Sequence, residues 1–438
     1  MRTSRVVRWL IAALLGGSLL GWTATGQLAY ARLFYLGLVV LVVSALWAVL
    51  SLRGLQLSRS TRTLRASMGE VFEERYEITN QAWPGCLWLE ILNESGLPMA
   101  AGSRLLTLIG HRQRRFYTAR TLLSRRGAYR LGPTRMTTGD PFGLFTLTRS
   151  FPARETLVVL PMAFPIATFP PPPGLLPGGR TIRQRTADVT PHAAGVREYV
   201  PGDPMKRIHW PSTAHRERFM VKEFEQDPQA DIWIFLDAQS STHFQRPDEP
   251  VFLSQDGWWL RRPQVAVPRD SFEYGVSAAA SLAQHFLADR RSVGLASNTR
   301  QPTVLSAERG VRQITKLMET LAFLQPDGGL PLLGLVTAQA RLLQIGTGVI
   351  LISSNTDPGL LLAVELLQRR NLRPVVVLIK PESFGGQGDS QQITSGLLGR
   401  NVPVCLVGMG EDLAARLALP VVYFQRPSST GVHFSVAG

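Results

Sequence analysis

The residues best placed to do chemistry are polar groups that end or interrupt apolar runs. Asp231-Ile-Trp-Ile-Phe-Leu-Asp237 reads as a buried strand closing on a carboxylate, followed by Ala238-Gln-Ser-Ser241. A carboxylate with neighbouring hydroxyls at a sheet edge can hold a hard cation or meet a partner. A second group, Asp203, His209, Ser212 and His215, contains the residue types of a hydrolase. Nothing in its spacing fixes a nucleophile against a base, and His209 lies in an Ile-His-Trp stretch that alternates faces, so packing and hydrogen bonding are the expected roles. Phe384-Gly-Gly-Gln-Gly388 lacks the Gly-Lys-Ser/Thr ending of a phosphate loop, and ATP hydrolysis by this chain is not expected. Cys86 and Cys405 are the two cysteines, far apart, which argues against a disulfide scaffold or a zinc site and fits a reducing compartment.

The elements that must position these groups follow from periodicity. From Asp231 onward strands alternate with helices. Strands are expected at Asp231–Asp237, Ser292–Ala296, Gly348–Ser353, Pro374–Ile379 and Val402–Val407, and helices near Tyr274–Arg290, Ala307–Phe323, Pro358–Arg370 and Glu411–Leu417. Runs such as Val375-Val-Val-Leu-Ile379 are what strands covered on both faces look like, so residues 231–438 read as an α/β domain with a doubly wound, mainly parallel sheet. Residues 56–160 read as a β-rich, sandwich-like domain, with strands near Phe72–Asn80, Leu87–Leu92, Arg104–Ile109 and Thr156–Leu160. Asp140-Pro-Phe-Gly-Leu-Phe145 reads as a turn leading back into a strand. Residues 161–230 hold a proline-rich linker, including Phe169-Pro-Pro-Pro-Pro-Gly174.

Residues 1–55 contain two apolar segments. Trp9 to Trp22 is short for a span, whereas Leu33 to Leu52 is uncharged and long enough. Arginines before the first and after the second predict a transmembrane helical hairpin with both ends in the cytoplasm. Ala29-Tyr30-Ala31 also resembles a signal cleavage site, and even then the second segment would stop transfer and leave the rest of the chain cytoplasmic. The expected address is the inner (cytoplasmic) membrane, multi-pass, with the bilayer as one partner. The net charge of +15 is uneven: residues 1–65 hold eight arginines and no acid. No nucleic-acid reader motif accompanies the arginines, and basic charge beside a span serves orientation and attraction to anionic lipid, so no nucleic acid is expected.

The central stretch resembles a bacterial family called domain of unknown function 58. The residues that carry the resemblance are Arg197, Tyr199, Gly202 and Asp203 in Arg197-Glu-Tyr-Val-Pro-Gly-Asp203, then Ile208 and Trp210 in Ile208-His-Trp210, then Ala214, Arg216 and Val221-Lys-Glu-Phe-Glu225. His215 separates Ala214 from Arg216, where the family has an adjacent pair. The resemblance covers nearly everything after residue 60. It implies two N-terminal spans, a β-rich domain and a C-terminal domain similar to the von Willebrand factor A type. It also implies a MoxR-type AAA+ ATPase as partner. Arg197, Asp203 and Arg216 are expected to form an ion-paired brace.

A-type domains hold a divalent ion through Asp-x-Ser-x-Ser, a Thr and an Asp on three loops. The corresponding positions here are Asp237, Gln239 and Ser241, then Leu330 in Pro326-Asp-Gly-Gly-Leu330, then Ser354 in Ile352-Ser-Ser-Asn-Thr-Asp357. Three of the five ligand positions differ from the pattern and one carboxylate is lost, which leaves little charge to draw Mg²⁺ from water. The expectation is no cofactor, with Asp237 capping loop amides and Ser241 assisting. A long insertion, Thr242 to Phe272, carries Trp258 and Trp259 beside an Asp256-Gly257 turn. They could form an interaction rim, although packing is the favoured role.

These observations lead to a non-enzymatic expectation: a membrane-anchored interaction scaffold that works with a MoxR-type ATPase in assembly or maturation of a client complex. The alternative is a membrane-bound hydrolase of cell-envelope precursors using Asp203, His209 and Ser212.

Overall fold

Two apolar helices come first. The computed structural model describes residues 5–152, 154–169, 193–200, 205, 208–224, 231–248, 265–344 and 346–419. Helices α1 (Arg5–Thr25) and α2 (Leu28–Gly54) are joined by Gly26 and Gln27. Gly26 takes φ +67°, a left-handed value that glycine adopts without strain, and its N–H donates to Trp22 O (2.9 Å), ending α1. The helices meet through small residues: a Cβ added at Gly21 would lie 2.7 Å from the Tyr30 ring, and one at Gly37 would lie 2.7 Å from Leu15. Among the described residues α2 is the one helix long and apolar enough to cross a membrane; the apolar part of α1, Trp9–Thr25, is shorter.

The chain divides into two compact units, one formed mainly by Met1–Ala163 and one mainly by Phe164–Arg246, Asp270–Leu317 and Gln325–Gly438. After the helices, the first unit consists of antiparallel and mixed sheets. β1 (Leu55–Thr61), β2 (Arg65–Ser67), β3 (Val71–Asn80), β4 (Cys86–Asn93), β5 (Arg104–Ile109), β6 (Arg114–Leu122), β7 (Gly127–Arg130), β8 (Thr134–Gly139), β9 (Thr146–Phe151) and β10 (Thr156–Leu160) follow in order. They form the sheets β1-β3-β6, β5-β4-β8-β9 and β2-β10-β7. Leu55, Tyr76, Ile78 and Tyr117 from the first share one core with Cys86, Leu89, Ile91 and Met136 from the second.

The four expected strands are present, as β3, β4, β5 and β10. Strand β9 is the return expected after the Asp140 turn, and β1, β2, β6, β7 and β8 are additional. The Arg- and Thr-rich sequences of β6 and β8 hide the alternation, which in β6 survives only as inward Tyr117, Ala119 and Thr121. Asp140 makes the predicted turn between β8 and β9, its carboxylate accepting from the amides of Phe142 (2.9 Å) and Phe145 (2.6 Å).

In the second unit β11 (Ala193–Glu198) pairs antiparallel with β12 (Met220–Phe224), and α3 (Trp210–Arg216) lies between them in sequence. The remainder is an α/β sheet: β13 (Ile232–Leu236), β14 (Val293–Ser297), β15 (Thr303–Glu308), β16 (Gly348–Ser353), β17 (Arg373–Ile379) and β18 (Val404–Val407). The order is β15-β14-β13-β16-β17-β18, parallel throughout except for β15. Helices α4 (Ser271–Ala288), α6 (Leu332–Gln339), α7 (Pro358–Arg369), α8 (Ser390–Leu398) and α9 (Leu413–Ala418) complete it, together with the part of α5 (Val311–Phe323) up to Leu317.

Alternation sorts the strand side chains. Phe235, Leu351 and Val376 join a core with α6, α7 and α8 residues such as Val336, Val364 and Leu397. Leu236 and Ile352 face α4 instead, where a Cβ on Gly275 would lie 3.2 Å from Leu236 and 3.6 Å from Ile352. The five expected strands and four expected helices are all found, with β16 at its expected bounds and no end shifted by more than four residues. Edge strand β15 and helices α6 and α8 are additional: β15 alternates between half-buried and exposed positions without a matching alternation of apolar and polar residues in its sequence, and α6 is apolar on every side, so hydrophobic periodicity marks neither.

Candidate functional site

Strand order decides where a site can form. β14 lies on one side of β13 and β16 on the other, so a topological switch point falls at their carboxyl ends. Four segments converge there: 237–243 after β13, 298–300 after β14, 326–330, and 353–357 after β16. Gln239 and Gly328 form a parallel bridge, Gly328 N donates to Ala238 O (2.9 Å) and Ser240 N to Gly328 O (2.9 Å). Only glycine fits at 328, because an added Cβ would overlap the Asn298 carbonyl oxygen.

Asp237 sits at the centre and is fully buried. Its Oδ1 accepts from Asn298 Nδ2 (2.9 Å) and from the Gln239 amide (3.1 Å), and its Oδ2 accepts from Ser353 Oγ (2.6 Å). Asn298 uses its other end as well, Oδ1 accepting from Ala238 N (2.5 Å) while Nδ2 also donates to Leu330 O (2.6 Å). His243 Nε2 donates to the Asp237 carbonyl (3.0 Å), and Nδ1 lies 3.2 Å from both Ser271 Oγ and Ser354 Oγ. Burial lowers the His243 pKa below 6.5, outweighing the opposite pull of Asp237, so the ring is held neutral.

The positions expected to ligate a cation are therefore near one another but used otherwise. Gln239 Nε2 donates to Ser241 Oγ (2.8 Å), leaving Gln239 Oε1 enclosed without a partner among the described residues. Ser354 Oγ donates to Thr242 O (2.6 Å) and serves the loop rather than Asp237. Asp237 caps the Gln239 amide, while Ser241 contacts Gln239 instead of assisting at the carboxylate. Among the described residues no group of three or more His, Cys, Asp or Glu side chains is placed to hold a metal. The donors around Asp237 are an amide nitrogen, a backbone N–H and a hydroxyl, a set that satisfies a carboxylate and does not complete a cation shell.

Sequence reasoning missed Asn298, Ser353 and His243. The signal for the first two was available: Leu295-Ala-Ser-Asn298 and Ile350-Leu-Ile-Ser353 each end an apolar strand on polar residues, as Asp237 ends β13.

The signature residues lie on β11, α3 and β12. Ile208 is buried and bridges to Val221; Tyr199 N donates to Phe219 O (2.8 Å), and their rings meet edge to face. His209 caps α3, its Nδ1 accepting from the Ser212 amide (3.3 Å) and lying 2.7 Å from Ser212 Oγ. Trp210 is 64% exposed, Ala214 and Arg216 are exposed, and Arg216 has no ion pair among the described residues. Gly202, Asp203, Trp258, Trp259 and the side chain of Arg197 lie outside the described residues, so the brace and the tryptophan rim do too.

A family model described as "Protein of unknown function DUF58" matches residues 195–249, which contain these signature elements. The chain is also 27% identical over 320 residues to the uncharacterized protein YeaD of Bacillus subtilis (strain 168), covering 68% of this chain and 70% of that protein. The family model and this relative both support the resemblance of the chain to the DUF58 family. Among solved structures, proximal thread matrix protein 1 from the mussel byssus is 13% identical, with 43% of this chain and 45% of that one covered and a TM-score of 0.28. A CARDB domain from Pyrococcus furiosus, crystallised with di-metal ions, is 12% identical, with 24% and 91% covered and a TM-score of 0.19. At such scores neither likeness bears on fold or function.

Proposed function

We propose that this protein is a membrane-anchored interaction scaffold that acts by contact and not by turnover. In this reading α1 and α2 form an inner-membrane hairpin with both ends cytoplasmic, and the α/β sheet belongs to a von Willebrand factor A-type domain. The sheet order, with its antiparallel β15 and a polar centre at the switch between β13, β14 and β16, supports that assignment. The observation that carries the functional reading is the enclosure of Asp237: the carboxylate at the customary ligand edge is buried and held by Asn298, Gln239 and Ser353.

The partner is a MoxR-type AAA+ ATPase and the task is assembly or maturation of a client complex, as the family resemblance implies. Affinity purification of the detergent-solubilised protein tests this. Retention of such an ATPase, with a change in its turnover on adding the purified protein, is expected. Repeated purification without it, and an unaltered turnover, would overturn the role.

One observation favours a second reading. Ser212 Oγ lies within hydrogen-bond distance of His209 Nδ1, the relation a nucleophile has to its base. A hydrolase of cell-envelope precursors using Asp203, His209 and Ser212 would release product from lipid-linked precursors and lose that activity in Ser212→Ala with folding intact.

A further inference from the structure

At the end of the first unit where α2 enters, three loops come together. Leu55 pairs with Asn80 across β1 and β3, so the chain leaving α2 lies beside loop 81–85. Gln81 N donates to Gly54 O (2.8 Å), and Gly54 approaches Ala82 so closely that an added Cβ would collide with it. Asn80 Nδ2 donates to Ile109 O (3.1 Å) and Gly110 O (3.2 Å), and His111 Nδ1 lies 2.9 Å from Ala82 O, which ties in loop 110–113. Cys86 pairs with Ile109 and Leu89 with Thr138, so the turn 140–145 between β8 and β9 leaves its sheet at this same end.

Loops 81–85 and 140–145 and the end of β5 that leads into loop 110–113 each present a large apolar side chain to solvent. Trp83 is 83% exposed, Leu108 67% and Phe142 63%. Arg53 and Arg112 are exposed beside them. Asp140 is the single carboxylate in residues 81–85, 108–113 and 140–145, and it is buried with its oxygens occupied by backbone amides. The surface is thus apolar and cationic, with no exposed acid.

The position of this surface follows from α2. Its 27 residues span about 40 Å at about 1.5 Å per residue, against a hydrocarbon thickness of about 30 Å. About 10 Å of helix is left for the headgroup layer. Leu55 caps α2 and begins β1 at once, so no linker lets the three loops drift from that level.

We propose that this pole is a lipid-contact surface: Trp83, Leu108 and Phe142 enter the bilayer interface, and Arg53 and Arg112 meet the phosphates of anionic lipid. It rests on the reading of α2 as a membrane span and adds that the first unit is seated on the bilayer and not held away from it.

Site-directed spin labelling of the full chain in phosphatidylcholine/phosphatidylglycerol vesicles tests it. Cys86 and Cys405 are buried, so single cysteines at Trp83→Cys, Phe142→Cys, Val39→Cys in α2 and Thr63→Cys beyond the far end of β1 can be labelled selectively. Collision with oxygen relative to a water-soluble nickel chelate reports lipid contact. Positions 83 and 142 are expected to give ratios several-fold above position 63 and closer to position 39. Lipid-like values at 39 with water-like values at both 83 and 142 would overturn the proposal and leave the anchor standing. Low access to both reagents at 83 and 142 would mean cover by protein, a second copy or a partner, and would overturn it too. Water-like values at 39 would remove the anchor and the proposal together.

Discussion

Asn298 grips the end of β13 with both ends of its amide: Nδ2 donates to Asp237 Oδ1 (2.9 Å) while Oδ1 accepts from Ala238 N (2.5 Å). This joins neighbouring strands β13 and β14 beyond their last backbone pairing, Leu236 with Ser297. Replacing Asn298 by Ala leaves a buried carboxylate oxygen and a buried N–H each short of a partner. The expected cost is about 2–4 kcal/mol, read as a lower urea midpoint with unchanged slope. Ser241→Ala, at an exposed position, should change stability by less than about 0.5 kcal/mol.

Gly328 lies against the same asparagine. Because a Cβ there would overlap the Asn298 carbonyl oxygen, Gly328→Ala must displace either the 326–330 loop or the end of β14. A loss exceeding about 3 kcal/mol, or failure to accumulate folded protein, is expected. Gly329→Ala, where an added Cβ meets nothing within 4 Å, is the matched control and should remain close to the parent.

His243 provides a pH dependence whose sign follows from burial. Its folded pKa lies below 6.5, so the unfolded chain takes up a proton that the folded chain refuses. Its contribution is complete above about pH 6.5 and is lost as pH falls through the lowered folded value, at no more than about 1.4 kcal/mol per pH unit. Melting curves from pH 7.5 to 5 should therefore fall more steeply for the parent than for His243→Asn. Equal slopes would show that the ring does not resist protonation.

Arg59 covers Glu74, a carboxylate 1% exposed, with Nε at 2.9 Å from Oε1. Burial raises the Glu74 pKa, and Arg59 opposes that shift. Arg59→Met strands the charge and should cost about 3 kcal/mol at neutral pH, a deficit that shrinks on acidification as the unpaired acid takes a proton. Pairing Arg59→Met with Glu74→Gln should recover part of the loss, which a double-mutant cycle in urea would measure.

Mg²⁺ should leave the melting temperature unchanged, as should its removal by chelator, because both oxygens of Asp237 already accept hydrogen bonds. An upward shift that saturates with Mg²⁺ would mean that Gln239, Ser241 and Asp237 rearrange into a shell, and the scaffold reading would then need a metal-dependent contact.

The sequence alone determined that strands dominate residues 56–160 and that strands and helices alternate after Asp231. Unbroken apolar runs such as Val349-Ile-Leu-Ile352 can be satisfied only under cover on both faces, and the uncharged stretch within α2 is too long and apolar for an ordinary surface helix. It also located the carboxylate that ends β13, since a charge after five apolar residues must lie at a strand terminus. What it could not rank were the neighbours of that carboxylate. Asn298 and Ser353 are 61 and 116 residues from Asp237 in the chain and meet it only because β14 and β16 flank β13. Sheet order is a property of the folded chain, set by how helices pack on the two faces, and no local period encodes it. For the same reason Trp83, Leu108 and Phe142 look like scattered hydrophobics in the sequence; strand register gathers them beside the end of α2.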